Sequence, residues 1–217
     1  MFNRRDRMAP NRGSDEELVA SAAAGDRAAM GELFVRYRQR LRAMLAVRLD
    51  QRLQGRIDPS DVLQETFAEA SQRLAEYARQ PSMPFFLWLR FLTVQQLMQH
   101  HRRHLGTQKR SADQELALGS GVGPDASAMS LAEQVVGTMT SPSLAAARGE
   151  MAARLATALE AMEPIDREVI VLRHFEELTN NEAAQVLGIS KAACSKRYIR
   201  ALGRLEEIIG SVGDDSA

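Results

Sequence analysis

The chain of 217 residues contains one cysteine, Cys194, so an intrachain disulfide and a cysteine-based zinc site are both excluded. That usage fits a reducing, cytoplasmic setting. No apolar run is long enough to span a bilayer, so membrane insertion is not expected. The N-terminus MFNRRDRMAPNRGSD is charged and lacks the hydrophobic core of a secretory signal. Net charge is absent too: 28 Lys and Arg balance 28 Asp and Glu, which argues against a wholly basic binder. There is no stretch with convincing strand alternation, no internal repeat, no phosphate-binding glycine loop and no Ser-His-Asp ordering. No catalytic residue, metal ligand or cofactor is therefore expected.

What is present is helical. The segment 178–205, LTNNEAAQVLGISKAACSKRYIRALGRL, reads as a helix, a tight turn and a second helix. Thr179 and Glu182 have capping-box spacing, and Gly188 supplies the backbone freedom that a helix C-terminus needs. Ile189 can plug the turn and Ser190 can cap the next helix. On that helix Cys194, Tyr198, Leu202, Leu205 and Ile209 recur at helical spacing and should face inward. Lys191, Ser195, Lys196, Arg197 and Arg200 are left mostly outside. From Lys191 to Arg204 there are five Lys or Arg and no Asp or Glu. A basic helix held by a small partner helix fits the DNA major groove. The plainer alternative is a helical hairpin with a solvated basic face.

The rest divides into tail, bundle, linker and second bundle. Residues 1–13 read as a flexible tail. Ser14 and Glu17 form another capping box, opening a helix that Gly25 ends. Asp26 caps the next, with Met30, Leu33, Phe34, Tyr37, Leu41, Met44 and Leu45 as its apolar stripe. Asp58-Pro59 reads as an N-cap followed by proline at the first helical position. The helix it opens, reaching about Ala78, buries Val62, Leu63, Phe67, Ala70 and Leu74. A strongly apolar helix runs from Phe85 to about His104, and Trp88 at helical spacing is more simply core than a wedge for opening DNA. Residues 106–143, rich in Gly, Ser, Ala and Asp, read as a linker with at most one short helix. A second helical unit spans 144–210, followed by a tail over 211–217. The expected fold is thus all-α: two small helical domains joined by a flexible linker.

Charge is sorted along the chain. Arg90, Arg102, Arg103, Lys109 and Arg110 lie in a stretch without a carboxylate, whereas 58–69 holds Asp58, Asp61, Glu65 and Glu69 and no Lys or Arg. Separate basic and acidic patches predict separate nucleic-acid and protein partners. Asp61 and Glu65 share one helix face at i, i+4. In QHHRRH, Arg102 and Arg103 can hold phosphates, while Gln95, Gln96, Gln99 and His100 offer base-edge groups. His100 and His104 have the i, i+4 spacing of a metal pair. They lack the intervening Glu of a zincin and any nearby Asp, Glu or Cys ligand, so no metal is assigned.

These residues, in this order, resemble an extracytoplasmic-function sigma factor, the two-domain minimal form of the sigma subunit of bacterial RNA polymerase. The likeness covers about 14–105 and 144–209. The run from Asp58 to Phe67, DPSDVLQETF, is similar to the family's polymerase-binding helix. Trp88-Leu89 is similar to the aromatic-leucine pair of its promoter-melting region, and 178–205 to the helix-turn-helix that reads the minus-thirty-five element. The ending SKRYIRAL is especially similar to family members from planctomycetes. The resemblance implies a sigma-region-2-like bundle over 14–105 and a sigma-region-4-like unit over 144–210. It implies that Asp58, Asp61, Gln64 and Glu65 meet core RNA polymerase. It places Gln95, Gln96, Gln99, His100, Arg102 and Arg103 at the minus-ten element, with a flipped base caught by the loop over 78–84. Lys191, Ser195, Lys196, Arg197 and Arg200 fall at the minus-thirty-five element, with Lys196 and Arg200 as principal contacts and Arg197 as a brace. The chain departs from the family at Val94, Gln95 and Gln99, where Arg, Asn and Asp are usual. Many members are encoded beside an inhibitory anti-sigma factor, which makes one a candidate partner. The competing reading is a helix-turn-helix regulator that is not a polymerase subunit; a metal-dependent helical enzyme is more distant.

Overall fold

A computed structural model describes residues 13–49, 53, 55–105, 128–139 and 145–214. The N-terminal helices are α1 (Asp15–Ala23), α2 (Arg27–Arg48), α3 (Pro59–Arg79) and α4 (Phe85–Leu105). After them come α5 (Ala128–Met139), α6 (Ala145–Glu160), α7 (Pro164–Ile170), a π-helical turn over Val171–Phe175, α8 (Asn180–Leu187) and α9 (Lys191–Asp214). Residues 1–12 of the expected tail over 1–13, residues 106–127 and 140–143 of the expected linker over 106–143, residue 144, and the last residues 215–217 lie outside the described residues.

The helices start where their caps are written. Ser14 Oγ accepts from the Glu17 N–H while Glu17 Oε2 accepts from the Ser14 N–H, which satisfies two donors at the start of α1. The Asp26 carboxylate accepts from the N–H groups of Ala28 and Ala29, and these two bonds hold its pKa below the usual carboxylate range. Asp58 accepts from the Ser60 N–H, with Pro59 opening α3 as read from the sequence.

The α2 stripe is buried as predicted, with Leu33, Leu41 and Met44 fully enclosed. It packs with Val62 and Leu63 of α3 and Leu89, Leu92 and Leu97 of α4 into one apolar cluster. Phe34 and Phe67 stack between α2 and α3, with ring centroids 4.1 Å apart. Trp88, Phe85 and Phe86 are buried in that cluster, as core rather than exposed wedges.

Three features depart from the sequence expectation. Within the expected linker, Ala128–Met139 forms the one short helix allowed for. Its buried Leu131, Ala132 and Val136 pack with Leu155 and Leu159 of α6, so it belongs with the C-terminal helices rather than to a free connector. Helix α9 runs on to Asp214, past the position where a tail was expected to begin. And the two helical units share a core. Val169, Leu172, Leu178, Ala183, Ala184 and Cys194 join the N-terminal cluster, while Val47 of α2 joins the C-terminal one.

Along that seam runs a buried ion cluster. Arg48 Nε donates to Glu176 Oε1 at 2.6 Å and Arg90 Nε to Glu176 Oε2 at 2.6 Å. Arg48 Nη2 donates to Glu168 Oε1. Side-chain exposure is 0% for Arg48 and Glu176, 1% for Arg90 and 10% for Glu168. The π-helical turn positions Glu176: its N–H closes a five-residue bond to the Val171 carbonyl at 3.0 Å. Burial opposes the charge on Glu176, yet two guanidinium groups outweigh it and lower its pKa. Glu168 is met chiefly by Arg48, and there burial prevails and raises the pKa.

Candidate functional site

The described residues offer three surfaces with distinct chemistry. The first is α3. Asp58, Asp61 and Gln64 are exposed and Glu65 is half-buried, so the acidic face predicted from spacing does point outward. Its flank packs on α4. Glu65 Oε2 lies 3.1 Å from His100 Nε2, and Gln96 Nε2 donates to Glu69 Oε2 at 2.6 Å. Gln96 and His100 are consequently only 8% and 9% exposed. The sequence reading gave His100 no nearby carboxylate; the pairing of α3 with α4 supplies one from 35 residues away. Gln95 and Gln99 are half-buried, Arg102 and Arg103 are exposed, and Arg103 Nη2 reaches Gln99 Oε1 at 3.4 Å. No group of three or more His, Cys, Asp or Glu among the described residues could hold a metal ion.

The second surface is a cavity of about 490 Å³ where α3 ends and α4 begins, lined by Arg73, Tyr77, Arg79, Ser82 and Trp88 among others. The Tyr77 and Trp88 rings stack with centroids 4.6 Å apart. Tyr77 Oη donates to the Met83 carbonyl at 2.8 Å, which ties the ring to the intervening loop. Burial and the nearby Asp15 and Glu16 raise the Tyr77 pKa, so the phenol keeps its proton. The sequence marks the loop and Trp88, but not Tyr77 or its stacking on the Trp88 ring. Trp88 serves both the core and the cavity wall, and periodicity reports only the first.

The third surface is the helix-turn-helix. Thr179 and Glu182 make both arms of the capping box. Gly188 sits at φ +63°, the left-handed conformation a side chain would strain, and lets Ile189 N–H turn back to the Ala184 carbonyl. Ser190 Oγ caps α9 through the Ala193 N–H. Cys194 is fully buried and burial pushes its thiol pKa up, which suits a small core residue and not a reactive thiol. Lys191, Lys196 and Arg200 are exposed; Ser195 and Arg197 are half-buried.

One residue that sequence reasoning missed organises this face. Asp166 of α7, whose side chain is fully buried, accepts from Arg197 Nη1 at 2.7 Å and from Arg200 Nε at 3.0 Å and Nη2 at 2.7 Å. Burial works against its charge, but the two arginines prevail and hold its carboxyl below the usual range. Arg200 thus braces the helix as firmly as Arg197 does. No local signal marks Asp166, because its partners lie more than 30 residues onward.

A helical fold that carries a basic helix-turn-helix and, elsewhere, an acidic helix face defines a DNA-binding protein that also meets a protein partner. A sequence model of the ECF sigma factor family matches residues 16–207, and the chain belongs to that family. It is 31% identical over 205 residues to the RNA polymerase sigma factor CnrH of Cupriavidus metallidurans, spanning 90% of this chain and 94% of that protein. A 55-residue segment is 40% identical to the RNA polymerase sigma-E factor of Streptomyces antibioticus, covering 25% of this chain and 31% of that protein. The solved structure of CnrH in complex with the cytosolic domain of CnrY superposes with a TM-score of 0.53 at 26% identity, covering 92% of this chain and 99% of that one. The protein is a sigma factor: it binds core RNA polymerase and directs initiation at promoters.

Proposed function

We propose that the three surfaces divide the work of a sigma subunit between them. The exposed acids Asp58 and Asp61, with Gln64 and Glu65, meet a basic surface of core polymerase. Like-charge repulsion keeps that face off DNA. Gln95, Gln99, Arg102 and Arg103 meet the minus-ten element, while Gln96 and His100 hold α4 against α3 behind them. The cavity beside Tyr77 and Trp88 accepts an unstacked base, which pockets and stacking recognise in single strands. Lys191, Ser195 and Lys196 enter the major groove of the minus-thirty-five element, with Arg200 alongside. The polymerase performs the chemistry. The minus-ten unit comprises 14–105 and the minus-thirty-five unit the helices from Ala128 onward. The setting is the cytoplasm, where polymerase and promoter meet, and an anti-sigma factor is a candidate regulator.

The observation that carries this reading is the segregation of exposed charge: acid on the outer face of α3, base on the outer face of α9. Reconstitution with core polymerase tests it. Promoter-specific initiation dependent on both faces is expected. Promoter binding that needs no polymerase would favour the simple regulator.

A further inference from the structure

We infer that Asp166 is a positioning residue that fixes Arg200 as a reader of one guanine in the minus-thirty-five element, leaving the phosphates there to Lys191 and Lys196. The inference rests on the sigma-factor reading. Arg200 Nε and Nη2 donate to Asp166 Oδ2 at 3.0 Å and 2.7 Å, and Nη2 also reaches Oδ1 at 2.9 Å. A guanidinium is flat and carries its five N–H donors in a rigid fork. The edge formed by Nε and Nη2 is therefore taken. The end formed by Nη1 and the outer hydrogen of Nη2 has no hydrogen-bond partner among the described residues, and 48% of the side chain is exposed. Two donors side by side on that end match the O6 and N7 acceptors of guanine in the major groove.

Asp166 can hold this arginine because it is itself held. Its side chain is fully buried on α7, and Arg197 Nη1 donates to it at 2.7 Å. An arginine loose in solvent gives up rotamer freedom when it meets a base. One already pinned has lost that freedom on folding, so less is lost on binding.

The local charge separates base reading from phosphate attraction. Glu163 Oε2 lies 3.1 Å from Arg197 Nη1 and 3.7 Å from Arg200 Nη2. Two carboxylates thus stand against two guanidinium groups, and their charges cancel. A phosphate gains little from a cancelled charge, whereas a base edge is recognised by donors at fixed positions. Lys191 and Lys196 are exposed, and neither has an ion pair among the described residues, so both keep their charge for the backbone. Ile199 agrees with this division. It is 69% exposed beside Arg200, and the two lie three and four residues beyond Lys196, on its side of the helix. An exposed isoleucine offers nothing to a phosphate but fits the methyl group of a thymine.

The test uses the full chain reconstituted with core RNA polymerase. Duplexes randomised through both promoter elements are selected on the native holoenzyme, and the selected sequence is then varied one base pair at a time in its upstream half. One guanine there should be preferred by roughly 5- to 150-fold. Replacing it by 7-deazaguanine, which lacks the N7 acceptor, should weaken native binding and leave the Arg200→Lys holoenzyme unaffected. Arg200→Lys keeps the charge but not the fork, so it should erase preference at that position and retain the salt slope. Asp166→Asn should lower the same preference several-fold while the other positions keep theirs. In the free native chain, the Arg200 Nε–H should give the nuclear Overhauser signature of an immobile side chain. An unchanged guanine preference in Arg200→Lys would overturn the assignment. So would an Asp166→Asn chain that weakens every position alike, as a purely structural brace would. A mobile Arg200 in the native chain would overturn the positioning even if Asp166→Asn fails to fold. Co-elution with core polymerase reports separately on the sigma reading, while the free-chain measurement judges the positioning by itself.

Discussion

Arg200 and Asp166, 34 residues apart, close a two-point contact in which Arg200 Nε and Nη2 meet the carboxylate at 3.0 Å and 2.7 Å. Asp166 is wholly enclosed while the Arg200 side chain keeps 48% exposure, so one end of the pair is anchored and the other still faces solvent. Asp166→Asn is expected to cost about 1.5–3 kcal/mol at neutral pH, the range for bonds to charged groups. Its pH signature follows from its lowered pKa. A depressed carboxyl pKa contributes stability above the unfolded value near 4, and that stability is lost as pH falls through the folded value. Denaturant titrations across acidic pH should therefore show a flatter acid limb in Asp166→Asn than in the native chain. Glu176 acts in the same sense, and Glu168, with its raised pKa, in the opposite one.

Lys196 and Arg200 should separate experimentally. Lys196 is exposed on α9, so Lys196→Ala should weaken upstream-element binding and leave the melting temperature unchanged. If it reads a base, the loss is about 1–3 kcal/mol at one position; if it holds a phosphate, all sequences weaken and the salt slope falls by about one. Arg200→Ala should lower both binding and stability, because Asp166 loses its two-point partner. Salt-dependent anisotropy on promoter duplexes, with parallel melts, checks both.

Charge reversal at Asp61 and Glu65 to Lys is expected to abolish holoenzyme formation while helical content stays unchanged. Asp61 is the cleaner probe, since Glu65 also touches His100. Asp61→Lys alone should weaken co-elution with core polymerase at a stability cost of only about 0.3–1 kcal/mol, from a reversed charge in the first turn of α3. Unaltered core binding by the double variant would refute the assignment of this face.

The cavity at Tyr77 and Trp88 predicts a defect in promoter opening. Tyr77→Phe keeps the ring stack but removes the bond to the Met83 carbonyl, at a cost of about 1 kcal/mol. Thymine reactivity to permanganate in the minus-ten region should fall while duplex binding persists. Arg79→Ala, at an exposed position on the cavity wall, should give the same defect without loss of stability.

Much of this protein is written locally. The caps at Ser14, Asp26, Asp58, Thr179 and Ser190 start helices where the sequence places them, because a cap involves a side chain and a backbone N–H a few residues apart. The apolar stripe of α2 and the inward Cys194 are equally legible, since helical period alone decides which face is hidden. The acidic face of α3 and the basic face of α9 follow by complement. What the sequence could not decide is which hidden faces meet. Arg48 finds Glu176 across 128 positions and Arg90 finds it across 86, through packing of α2 and α4 on the turn after α7. Gln96 and His100 were read as outward base-edge groups, yet α3 lies against them and turns them into its supports. Periodicity measures burial one helix at a time, whereas pairing a buried charge requires two helices to dock in one register, and only the tertiary structure fixes that.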